Sequence, residues 1–109
     1  MANEKRQYPR AEISWPVTIV SPDYLVTCRT KNLSLVGTLI RCSELPELLG
    51  NFRLVFKPTE RQLLIATAER VWSETPANDN SMSYAMGVKF TFIPDRDYQL
   101  MSKAISGHL

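Results

Sequence analysis

The chain has 109 residues, the size of one domain with one modest core. Its hydrophobic fraction of 44% and charged fraction of 22% are those of an ordinary soluble globular protein and argue against disorder. The longest apolar runs, such as LLIA at 63 to 66, fall far short of the ~20 residues that span a bilayer. The charged N-terminus is not followed by an apolar segment of the signal-peptide kind. A cytoplasmic location with no membrane insertion is therefore expected.

Charge excludes more when divided along the chain. Of the 13 basic and 11 acidic residues, the first ten positions hold Lys5, Arg6 and Arg10 against Glu4 alone. The net charge of +2 thus resides in the N-terminal arm, and the remainder is balanced. That distribution, with a pI of 8.7, suits a small anion better than a nucleic-acid polymer.

In chain order, residues 1 to 11 form a basic arm without apolar periodicity, expected to be mobile when free. Over residues 12 to 20, Ile13, Trp15, Val17 and Ile19 alternate with mostly polar neighbours, which predicts a strand with one buried face. Pro16 within it predicts an edge or a bulge there. Residues 24 to 31 continue the alternation, and a turn follows at NLSLVG. TLIRC, FRLVFK, QLLIATAERVW and SYAMGVKFTFI predict four more strands, separated by turn-forming residues. SELPELL, at 43 to 49, is a candidate for a short helical turn limited by Pro46. TPANDNS, at 75 to 81, reads as a loop.

Near the end, Asp95 after Pro94 is a plausible N-cap. Tyr98, Met101 and Ile105 then recur at helical spacing, which predicts an amphipathic helix over 95 to 106. Six short antiparallel strands and one C-terminal helix give an all-β class: a small barrel, over residues 12 to 109, with the helix on its surface or mouth.

Catalysis finds little support. The one histidine, His108, is penultimate, and neither GxSxG nor a phosphate-binding glycine loop occurs. A non-enzymatic protein is expected. Metal chemistry is equally short of ligands, because Cys28 and Cys42 lack CxxC spacing and a structural zinc site needs about four ligands. If the chain turns near 34 to 36, these cysteines lie roughly opposite each other, and in a cytoplasmic protein they are expected to be reduced thiols.

Two stretches favour binding. The first is Arg6-Gln7-Tyr8-Pro9-Arg10, preceded by Lys5. Arginine offers a planar fork of donors for phosphate oxygens or for the O6/N7 edge of guanine. In extended chain the two arginine Cα atoms stand ~13 Å apart, the span of separate groups on a dinucleotide-sized ligand. Alone, RxxxR reads first as a solvated basic tail. The second is Asn32-Leu33-Ser34-Leu35-Val36-Gly37. In extended chain Asn32 and Ser34 share a face while Leu33 turns inward, and Gly37 permits φ > 0 or close approach of a ligand. Alone, this reads first as a hairpin turn.

Together, in this order, RxxxR and NxSxxG resemble the signature of the PilZ family of cyclic di-GMP receptors, and ERVW at 69 to 72 and MGVKF at 86 to 90 look like that family's later strands. The resemblance implies a six-stranded antiparallel barrel with a C-terminal helix and cyclic di-GMP as ligand, with no other cofactor. It assigns Arg6 and Arg10 to the phosphates and guanines, Asn32 and Ser34 to a guanine, and Gly37 to the turn beside it. Asn32 stands where many members carry Asp, and an amide has one acceptor oxygen where a carboxylate has two, so weaker affinity is expected.

Lys5, next to RxxxR, occupies a position that the family associates with stoichiometry, and two stacked ligands per chain are expected. Trp72 is a candidate for stacking on a base and equally for the core. Tyr8 is expected to pack on the barrel. With no second domain in 109 residues, output is expected through a downstream protein partner. The rival expectation is a PilZ-like adaptor that binds a protein and no nucleotide.

Overall fold

The computed structural model describes residues 8–74 and 84–108. Lys5, Arg6 and the loop expected at 75 to 81 lie outside the described residues. Six strands and one helix follow in order: β1 (Pro16–Val20), β2 (Leu25–Leu33), β3 (Gly37–Cys42), β4 (Asn51–Thr59), β5 (Gln62–Glu74), β6 (Tyr84–Phe92) and α1 (Asp95–His108). All pairings are antiparallel, and the order β1-β2-β3-β6-β5-β4 closes on itself through β1 and β4. This is the barrel with a C-terminal helix that the strand count predicted.

Alternation builds the interior. Val17, Ile19, Ile40, Leu54, Phe56, Leu64 and Met86 are fully buried, because every second residue of each strand points to the barrel axis. Phe56 is the hub, with Trp15 and Phe90 edge-on to its ring at centroid distances of 6.0 and 6.2 Å. Pro16 opens β1 and pairs with Arg29 of β2, while the β4 ladder begins only at Val17. The proline therefore sits where no ladder donor is needed on that side. Residues 12 to 15 run beside β2 without joining the sheet, held by Thr30, whose hydroxyl accepts from the Trp15 N–H and donates to the Ile13 carbonyl.

Between β3 and β4 the chain crosses one end of the barrel, since these strands are not neighbours. The helical turn expected at 43 to 49 does not form. Leu48 is drawn into the core there and Leu49 is left 92% exposed. Gly50, at φ 67°, then turns the chain into β4 through the left-handed region that glycine tolerates.

The helix begins at Asp95, but the Tyr98 N–H bonds to the Pro94 carbonyl, so Pro94 holds the cap position and not Asp95. Its buried face is Asp97, Met101 and Ile105: Met101 and Ile105 are as expected, and Asp97 takes the place expected for Tyr98. Asp97 is needed at a strand edge. β6 ends at Phe92, opposite Thr67, which leaves the β5 backbone before Thr67 without a neighbour on that side. There the Ile65 N–H donates to Asp97 Oδ2 at 2.7 Å, and Arg96 donates to the Leu63 carbonyl at 3.3 Å. The first turn of α1 thus covers an edge that would otherwise present open backbone groups.

Cys28 and Cys42 were expected as thiols, whereas the structure joins them in a disulfide. They lie one step beyond the Arg29–Arg41 pair of the β2–β3 ladder, with Cα atoms 4.7 Å apart. That is the spacing at which two side chains on one face of an antiparallel pair can bond.

Candidate functional site

The arm joins the barrel at Ala11. This residue is buried, and it exchanges two backbone hydrogen bonds of 2.9 Å with Leu33. Leu33 is the residue between Asn32 and Ser34, so the bridge sets Arg10 at the NxSxxG turn. Sequence separation alone gives no sign of this contact.

The turn itself is built by Ser34. Its hydroxyl accepts from the N–H groups of Val36 and Gly37 and donates to the Gly37 carbonyl, each at 3.2 Å. The serine is 2% exposed, and its hydrogen-bonding capacity serves the turn. Gly37 does not use a positive φ, since Gly50 alone does so among the described glycines. Its role is close approach, because a Cβ at Gly37 would meet the Val88 carbonyl of β6.

Two β-bulges decide which side chains reach the outer surface. In β2, Thr30 pairs with Ile40 and Asn32 with Leu39, so Lys31 is the extra residue. Val26, Cys28 and Thr30 are buried; strict alternation would turn Asn32 inward, and the bulge turns it outward beside Leu39 while Leu33 enters the core. In β5, Arg70 pairs with Val88 and Trp72 with Gly87, so Val71 is the extra residue. Leu64, Ala66 and Ala68 are buried, and their parity would place Trp72 inside. The bulge instead sets it on the outer face, 45% exposed, with its five-membered ring where a Cβ of Gly87 would be. The expectation of a core position for Trp72 does not hold.

The pairings align these residues in one row across four strands: Asn32, Leu39, Gly87 and Trp72. Around this row lies a hollow of about 280 Å³. Arg10, Ser34, Gly37 and Trp72 line it together with Val71 and Lys89. Asn32 instead borders a neighbouring groove of about 860 Å³, separated from the hollow by Leu39. Lys89 was not anticipated; it follows Gly87 by two residues on β6, on the same outward face, and pairs with Glu69 at 3.2 Å. Tyr8 is 41% exposed. The hollow thus offers an aromatic face, the Arg10 guanidinium and an ammonium, Lys89, that is shared with Glu69, beside a turn whose Val36 and Gly37 amides are taken up by Ser34.

A family model described as the PilZ domain matches residues 4–107. No curated protein matches the chain. Among solved structures, the chain is similar to the inhibitor of motility MotI/DgrA of Bacillus subtilis, with TM-score 0.79 and 18% identity, over 95% of this chain and 51% of that one. It is similar to the PilZ domain of Escherichia coli YcgR with c-di-GMP, with TM-score 0.72 and 12% identity, over 96% and 92% of the two chains. It also resembles the PilZ domain of CeSA from a cellulose-synthesizing bacterium, with TM-score 0.61 and 18% identity, over 91% and 96%. The chain spans about half the length of MotI/DgrA. The match over nearly the whole sequence, with the barrel order and the terminal helix, makes this chain a member of the PilZ domain family.

Proposed function

We propose that this protein is a receptor for cyclic di-GMP, which binds on the outer face of the barrel between the arm and the row from Asn32 to Trp72. The observation that carries the proposal is the convergence of Arg10, Trp72 and Lys89 on the hollow beside the Ser34–Gly37 turn. These are the groups a cyclic dinucleotide needs: guanidinium and ammonium donors for phosphate, and an aromatic face for a base. Family membership and the nucleotide-bound state of the similar YcgR domain support the same ligand.

In this mechanism Arg10 and Arg6 grip phosphate and the O6/N7 edge of guanine. Asn32 hydrogen-bonds a guanine, and Gly37 shapes the turn beside it. Ser34 acts through the turn it holds together. Binding orders the arm onto the barrel and changes the surface offered to a partner protein. The ordering costs ~1–2 kcal/mol per residue fixed, which the charge-assisted contacts must exceed. Lys5 helps to neutralise a second, stacked ligand.

Calorimetry with cyclic di-GMP tests this directly. Saturable binding that weakens with salt and is lost in Arg6→Ala, Arg10→Ala and Trp72→Ala is expected. Two ligands per chain, falling to one in Lys5→Ala, are expected for the wild type. Absence of heat with the wild-type chain would overturn the proposal and leave an adaptor that recognises protein alone.

A further inference from the structure

The groove beside Asn32 adjoins the proposed nucleotide site through that residue and differs from it in chemistry. It lies on the outer face of β2 and β3, and its charged lining among the described residues is Arg29, Lys31 and Arg41 against the one carboxylate of Glu12. Arg29 and Arg41 are direct cross-strand partners. Like charges in that position repel, and none of the three cations has a carboxylate within ion-pair distance among the described residues. Arg29 is held in place: its Nε and one terminal nitrogen donate to the Ser14 hydroxyl and carbonyl at 3.0 and 3.1 Å. Its other edge stays available for an incoming anion.

We infer that this groove docks an acidic polypeptide segment of a partner protein, in extended conformation. Three observations select that occupant. The groove has about three times the volume of the nucleotide hollow, more room than a single small anion needs. Arg29, Lys31 and Arg41 gather three cations around one groove, a charge complement for a segment carrying several carboxylates. Among the described residues its lining contains no aromatic side chain, whereas sequence-tolerant binding of single-stranded nucleic acid relies on stacking platforms. The hydroxyls of Thr27 and Ser43 add donors for carboxylates or peptide carbonyls. The closed barrel has no free edge along these strands, so the segment is recognised by side chains and not by strand addition.

The inference does not rest on nucleotide binding, and the test keeps the two apart. The isotope-labelled full chain is titrated with a heptapeptide carrying glutamate at alternate positions, and separately with a single-stranded oligonucleotide of equal charge. Amide shifts centred on Arg29, Lys31 and Arg41 are expected with the peptide, with affinity reduced about tenfold or more in the Arg29→Gln/Arg41→Gln double variant. That variant is expected to stay folded, because relief of the Arg29–Arg41 repulsion offsets the exposed bonds lost to Ser14, and to bind cyclic di-GMP like the wild type. Peptide binding that survives the double substitution, absence of shifts in the groove, or tighter binding of the oligonucleotide there would each overturn the inference. Failure of cyclic di-GMP to bind the wild type bears on the nucleotide site alone.

Discussion

The indole of Trp72 fills the space above Gly87 that any other residue would give to its own Cβ. The two are cross-strand partners across the Val71 bulge, so the tryptophan's place on the outer face depends on a missing side chain as much as on the bulge.

Gly87→Ala is therefore expected to lift Trp72 from the sheet while the barrel remains folded. Crowding of this kind costs ~1–3 kcal/mol of stability. Loss of an ordered stacking face should weaken cyclic di-GMP about tenfold or more. Tryptophan fluorescence together with calorimetry checks this, and unchanged affinity with a displaced indole would remove Trp72 from the site.

Ser34→Ala is expected to lower stability by ~1–3 kcal/mol in the absence of any ligand, because the Val36 and Gly37 amides lose their shared acceptor. Denaturant unfolding measures it. Stability unchanged by the substitution would mean that the hydroxyl is not what holds the turn.

Asp97→Ala is expected to cost a similar ~1–3 kcal/mol, since the Ile65 N–H has no strand beside it to replace the carboxylate. The loss should appear in hydrogen exchange as faster opening of α1 and the start of β5. Uniform acceleration across the barrel would instead make Asp97 a general stabiliser.

Reducing the Cys28–Cys42 link, or replacing both residues with alanine, is expected to lower the unfolding free energy by about 3 kcal/mol, the chain-entropy value for a closed loop of this size. Barrel order should persist, because the ladder on either side of the link is independent of it. An unfolding midpoint insensitive to reductant would show that the thiols are free in solution.

Most of the barrel was legible because period-2 alternation is a direct image of a closed sheet with one wet face. The exceptions are local. Trp72 could not be assigned to core or surface, since counting by twos from Leu64 points it inward and only the extra residue Val71 reverses it; nothing in AERVW announces a bulge. Asn32 lies outward with Leu33 inward, as expected, but the means, the extra residue Lys31, was not foreseen. The expected cap at Asp95 gave way to Pro94, and Asp97 entered the buried face of α1, because an open β5 edge needed an acceptor that helix periodicity does not foresee. Charge counted along the sequence balanced outside the arm, yet the fold gathers Arg29, Lys31 and Arg41 on one face.

The pair of hydrogen bonds between Ala11 and Leu33 also fixes a search volume. Arg6 is five residues before Ala11, so covalent geometry holds its Cα within ~18 Å of that anchor. Under the proposed function, a ligand seated against Arg10 and Trp72 would meet the second arginine at an effective concentration in the millimolar range, and not as an independent encounter. The bridge would then join two weak grips into one, with the length of arm before Ala11 setting how much affinity is gained.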